Sequence, residues 1–163
     1  MVNLLIIETD KIFRLNLALN LRLGKYHIFE TGNKIKAKKI LTKKSIDVVL
    51  LGLNGLKREG LSLLKEIKKI RPFTEIIMIN SCDQIPLSIE GMKLGAFDDF
   101  LLPFDMNALI GRIQEAYQQK RGNEKTKKSL LQRYQDIMVA VSFAEMGEAD
   151  TAIKLLENNK KTC

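Results

Sequence analysis

Three short apolar runs, Leu4 to Ile7, Asp47 to Leu51 and Glu75 to Ile79, constrain this chain more than any other feature. They are rich in Ile, Val and Leu, bounded by polar residues and separated by helix-length segments, as expected of strands buried on both faces of a parallel sheet. Tyr26 to Glu30 and Phe97 to Leu101 are weaker strand candidates that bring the number to five. Between them, Lys34 to Leu41, Leu61 to Ile70 and Ile85 to Leu94 carry apolar residues near helical spacing, and Met106 to Tyr117 follows. The alternation predicts an α/β fold, a doubly wound five-stranded parallel sheet with helices on both faces.

Ile12 to Leu23 is ambiguous, because Leu15, Leu17, Leu19, Leu21 and Leu23 alternate as in a strand. A crossover between parallel strands requires a helix here. Ile12, Leu15, Leu19 and Leu23 then form one helical stripe, and Phe13, Leu17 and Leu21 a second. The segment is read as a helix with two apolar faces.

After Arg121 the run Gly122 to Lys128 is polar, charged and without large apolar residues, which reads as a linker between a domain of residues 1–121 and a C-terminal piece of residues 129–163. In that piece Leu130, Leu131, Tyr134, Ile137, Met138, Val141 and Phe143 recur at helical spacing up to Gly147. Ala149, Ala152, Ile153 and Leu156 mark a second short helix. A helical hairpin is expected.

The chain of 163 residues, 45% apolar, suits one main domain with a small appendage. Its two cysteines are too few for a disulfide framework, which points to a reducing cytoplasm. The N-terminus lacks the features of a signal peptide, and no apolar stretch approaches the roughly 20 residues of a membrane span, so a soluble protein without membrane partners is expected. With 27 Lys+Arg against 19 Asp+Glu the formal charge is +8. Residues 122–163 hold seven bases and six acids, so nearly all the excess lies before them, in runs such as Lys34, Lys36, Lys38 and Lys39. Lysine runs without interleaved aromatics usually form solvated helix faces; a polyanion site is the alternative.

Six landmarks then fall in one order at compatible spacings: Ile7-Glu8-Thr9, Ile46 to Gly52, Glu59-Gly60, Ile76 to Ser81, Gly95 to Phe100, and Leu102-Pro103-Phe104. Over roughly residues 1 to 121 the chain resembles the receiver domain of response regulators, whose flavodoxin-like fold is the one derived above. In that family two carboxylates after the first strand and a phosphoacceptor aspartate after the third hold magnesium. A hydroxyl residue after strand four and a lysine before the final proline contact the phosphoryl oxygens. A hard cation wants several oxygen ligands, and a phosphoryl group in transfer wants positive charge around it.

Matched residue by residue, those roles are lost here. The first carboxylate is Glu8, longer than the usual Asp, and the second is Thr9. The acceptor position is Gly52, which has no side chain to form an acyl phosphate. Asn80 stands for the hydroxyl residue and Leu102 for the lysine. The resemblance therefore implies a degenerate pseudo-receiver: no enzyme, no metal, no cofactor, and a pocket turned into an ordinary packed loop junction. It also implies a cis peptide before Pro103. Of the neighbouring carboxylates, Asp10 is placed to cap the next helix, Asp47 to precede a buried strand, and Glu59 to lie in the loop after strand three. Glu8 is read as a carboxylate retained at a strand end and paired with a local donor. The only histidine, His27, is expected partly buried on the second strand, and Cys82 is read as an incidental thiol.

The segment Phe143 to Leu156 is similar to the turn and second helix of a tetratricopeptide repeat, and a plain helical hairpin fits it equally well. Its apolar face, Leu131, Tyr134, Met138, Val141, Ile153 and Leu156, needs a cover. The candidates are Phe13, Leu17 and Leu21 with the last receiver helix near Ile110 and Ile113, or the hairpin of another copy; homodimerisation is favoured. Function is expected to lie in contacts with protein partners. The alternatives are a nucleic-acid-binding regulator using the basic helices, and a response regulator phosphorylated at an unorthodox site.

Overall fold

The structure is a computed structural model that describes the backbone of residues 1–160 and the side chains of residues 1–157. Residues 161–163, the end of the expected hairpin, lie outside the described residues. The strands are β1 (Val2–Ile7), β2 (Tyr26–Thr31), β3 (Val48–Gly52), β4 (Glu75–Ser81) and β5 (Asp98–Leu102). The helices are α1 (Lys11–Leu21), α2 (Lys34–Lys43), α3 (Arg58–Ile70), α4 (Ile85–Lys93), α5 (Met106–Glu145) and α6 (Ala149–Lys160). The sheet is parallel throughout, in the order β2-β1-β3-β4-β5. The five strands are those the apolar pattern predicts, and α1 is the helix that the crossover between parallel strands requires.

Alternation along each strand divides the core in two. Leu5, Ile7, Val49, Leu51, Ile76 and Met78 point to one face and pack with α2 and α3, through Ala37, Leu41, Leu64 and Ile67. Leu4, Ile6, Val48, Leu50, Ile77 and Ile79 point to the other and meet α1 and the first half of α5, through Leu17, Leu21, Leu109 and Ile113.

This packing corrects the reading of α1. Leu17 and Leu21 are buried and Phe13 is partly buried against the same cluster, so these three are core rather than a docking surface. The stripe left outside is Ile12, Leu15, Leu19 and Leu23. Asp10 sets the phase: its carboxylate accepts from the Phe13 N–H at 3.0 Å and starts the helix with Phe13 turned inward. Ile113 is fully buried and Ile110 partly buried in the same cluster, which removes them as a free surface too.

The expected linker is also corrected. Residues 122–128 are helical, inside the 40-residue α5. Glu124, Lys125, Lys127 and Lys128 are good helix formers, and with no proline in the run a polar composition alone does not end a helix. The chain divides into two compact units, Met1–Arg121 and Gly122–Cys163. In the second, α5 ends at Glu145 and the turn after it holds Gly147, whose φ of 84° is the left-handed conformation glycine takes readily. The Glu148 N–H reaches the Phe143 carbonyl at 2.9 Å and the Gly147 N–H reaches that of Ala144 at 3.1 Å, the paired bonds of a glycine helix stop. α6 then follows, giving the expected helix-turn-helix.

At the N-terminal edge of the sheet, buried Lys120 donates to Asp47 Oδ1 at 2.7 Å and to the Ile46 carbonyl at 3.1 Å. Asp47 Oδ2 accepts from the Asn3 N–H at 2.8 Å. A charge pair out of water holds only when its remaining hydrogen bonds are met in this way. It ties α5 to the starts of β1 and β3.

Candidate functional site

In an open parallel sheet the crevice lies beyond the carboxyl ends of the strands, and the residues singled out in the sequence gather there. Glu8 and Thr9 follow β1, Gly52 ends β3, Asn80 lies near the end of β4 and Leu102 ends β5. Strand register holds them level: Ile7 is opposite Leu51, Gly52 opposite Ile79, and Asn80 and Ser81 opposite Leu101 and Leu102. The Leu102–Pro103 peptide is cis.

The centre of the site is Glu8 lying over Gly52. A Cβ placed on Gly52 would meet Glu8 Oε2 at 1.9 Å and its carboxyl carbon at 2.8 Å, so the Glu8 carboxylate occupies the space an acceptor side chain would fill. Glu8 is only 5% exposed. Its Oε1 accepts from the Asp10 N–H at 2.8 Å and the Thr9 hydroxyl at 3.3 Å, and its carbonyl accepts from Arg14 Nη1 at 2.5 Å. Arg14 in turn pairs with Glu30 at 3.6 Å. Local donors therefore turn the carboxylate inward. The extra methylene of Glu over Asp supplies the reach, and the missing side chain of Gly52 supplies the room.

Beside it a cleft of about 440 Å³ stays open to solvent, lined by Glu8, Thr9, Asp10, Phe13, Asn54, Gly55 and Leu102. A packed loop junction is therefore not what the structure contains. No cationic side chain lines the cleft, whereas two carboxylates do. Phosphoryl oxygens would meet no positive side chain there. Magnesium fits no better: Glu8 Oε1 is taken by the Asp10 N–H and the Thr9 hydroxyl, and Asp10 Oδ1 by the Phe13 N–H, which leaves the two carboxylates short of the oxygen ligands a hard divalent cation takes. Among the described residues no three His, Cys, Asp or Glu are grouped to hold a metal.

Asn80 faces away from the cleft. Fully buried, it donates through Nδ2 to the Gln84 carbonyl at 2.9 Å and to Ser88 Oγ at 3.1 Å, which fastens the end of β4 to the start of α4. Asn54 Oδ1 accepts from both the N–H and the hydroxyl of Ser81 at 3.0 Å, linking the loop after β3 to the same corner. Arg14, Asn54 and Ser88 carry no signal in the sequence, and Ser81 appears there only as the end of a landmark. Each is a common polar residue whose partner is brought near only by the fold. Glu59 lies in the first turn of α3 rather than in a loop, and pairs with Lys34 at 2.8 Å. That hydrogen bond and the ammonium charge hold its carboxyl below the usual range. His27 is exposed on the edge strand β2, its ring 4.7 Å from that of Phe29, rather than partly buried.

A family model described as response regulator receiver domain matches residues 4–114. The chain belongs to the response regulator receiver family. Among curated proteins this receiver is similar to a putative response regulator NtrX-like of Rickettsia felis, 29% identical over 117 residues that cover 71% of the chain and 25% of that protein. It is likewise 29% identical over 117 residues to sporulation initiation phosphotransferase F of Bacillus subtilis, covering 71% of the chain and 94% of that protein. Among solved structures, a response regulator receiver domain from Clostridium thermocellum superposes with a TM-score of 0.70 at 26% identity, covering 74% of the chain and 98% of that structure. The receiver thus spans about a quarter of the length of the NtrX-like relative and nearly all of the single-domain ones. No helix among the described residues is long and apolar enough to cross a membrane.

Proposed function

We propose that this receiver is a pseudo-receiver: a two-component signalling module in the cytoplasm that acts through contacts with other proteins and does not depend on aspartyl phosphorylation. No reaction is assigned to it. The observation that carries the reading is the Glu8 carboxylate lying 1.9 Å from where a side chain on Gly52 would begin. A nucleophile there needs a carboxylate facing the cleft, a cation beside it and positive charge for the phosphoryl oxygens. The two carboxylates that line the cleft are held by other donors, Glu8 by the Asp10 N–H and Asp10 by the Phe13 N–H. No cationic side chain lines it, Thr9 and Leu102 standing where the family has groups that serve the other two needs.

The hairpin is read, within the same proposal, as an added docking element similar to a tetratricopeptide unit. The basic helices favour the nucleic-acid alternative less than their sequence does, since Lys34 and Lys38 of α2 are tied to Glu59 and Glu66 of α3. Intact-protein mass after incubation with acetyl phosphate and magnesium tests the proposal. The mass should stay that of the unmodified chain. A stoichiometric phosphoryl adduct, at Glu8 or elsewhere, would overturn it.

A further inference from the structure

Along α5, Lys127, Leu131, Tyr134, Met138, Val141 and Glu145 succeed one another at alternating spacings of four and three residues. That repeat keeps side chains on the one stripe of a helix that faces another helix. The four apolar members keep 43 to 62% of their surface exposed. Their order is a palindrome about residue 136: Leu131 matches Val141, Tyr134 matches Met138, and at the ends lysine matches glutamate. Beside the stripe an apolar groove of about 260 Å³ is floored by Ala140 and Ala152 and edged by Ile137, Ile153 and Leu156.

We propose that a second copy of this chain covers this face, by two-fold antiparallel pairing of α5 against α5 centred at the level of Asp136. A two-fold interface lays the same patch on itself with its order reversed. Leu131 then packs on Val141 of the second copy and Tyr134 on Met138, while Lys127 meets Glu145 at both ends. In a parallel pairing each residue would meet itself, with lysine on lysine and glutamate on glutamate.

Charge beyond the stripe agrees with the antiparallel order. Residues 125–133 carry Lys125, Lys127, Lys128 and Arg133 and no acid, whereas residues 134–153 carry Asp136, Glu145, Glu148 and Asp150 and no base. Antiparallel pairing brings the first block onto the second. The area also suffices: with Leu130 and the groove edges, the exposed apolar surface is on the order of 800 Å² per copy, the share of one partner in a standard-size interface. The surfaces that first compete for the hairpin, the Leu17–Leu21 stripe of α1 and the face around Ile110 and Ile113, are taken by the sheet. The inference does not rest on the state of the Glu8 pocket.

Sedimentation equilibrium of the full chain over a wide concentration range tests it, with the variants K127E, E145K and K127E/E145K. Both positions are exposed, and circular dichroism of each variant checks that the fold is kept. The wild type should be a dimer. Each single change should weaken it by about tenfold, because two attractive contacts per dimer become repulsive. The double variant should return close to the wild-type affinity. A wild-type chain monomeric at every concentration would overturn the proposal, as would a double variant no tighter than the singles, the result a parallel or unrelated pairing gives.

Discussion

At the scale of single residues, Glu8 and Gly52 act as one unit. The carboxylate can lie inward only because Gly52 has no Cβ, and it stays there because the Asp10 N–H and the Thr9 hydroxyl hold it. Adding a methyl group by G52A forces the carboxylate off those donors while it remains largely buried. We expect G52A to lose about 1–3 kcal/mol in chemical denaturation, the cost of overpacking and of a displaced buried hydrogen-bonding group. E8D/G52A should recover part of that loss, since the shorter side chain withdraws from the new methyl. Equal stability of G52A and the wild type would show that Glu8 has another place to go. The sequence marks the position of each altered site residue, because the landmarks around Gly95-Ala96 and Leu102-Pro103 fix the register. That the carboxylate of one altered residue fills the space left by another is a relation across two strands. Only the packed fold brings it into view.

At the scale of elements, α1 decides between two apolar stripes of nearly equal quality. Sequence periodicity shows that both exist but not which one the sheet meets. The cap at Asp10 and the packing of Leu17, Ala18 and Leu21 against β1 and β3 settle it. L17A and L21A should each cost about 2–5 kcal/mol, as deletions of fully buried leucine side chains do. L19A, on the outward stripe with 58% of Leu19 exposed, should stay within about 1 kcal/mol. Urea denaturation of the three variants checks this, and a reversed ranking would mean that the helix is turned the other way. The segment 122–128 teaches the complementary lesson. Its charge and lack of apolar residues suggest a linker, yet lysine and glutamate propagate a helix as readily as they solvate a loop.

At the scale of the whole molecule, what was most legible follows from one physical demand: strands buried on both faces must be apolar throughout, and parallel neighbours must be joined by helices. Strand number and the helical crossovers come from that demand. The proposed loss of phosphoryl chemistry is read by subtraction: Glu8 keeps a carboxylate, while Thr9, Gly52, Asn80 and Leu102 stand at the other positions where the family resemblance implies reactive groups. Less legible was the open cleft of about 440 Å³ that remains. Loss of ligand residues does not close a crevice whose walls are set by strand ends and the α1 cap. The surviving cleft is wide enough to admit a small phosphoryl mimic, so the proposed independence from phosphorylation can be titrated. Beryllofluoride with magnesium is added while the amide resonances of residues 52–55 and 80–84 are followed by nuclear magnetic resonance. A pseudo-receiver leaves those resonances unmoved at every concentration of the mimic; saturable, magnesium-dependent shifts confined to them would show a site that still takes a phosphoryl group.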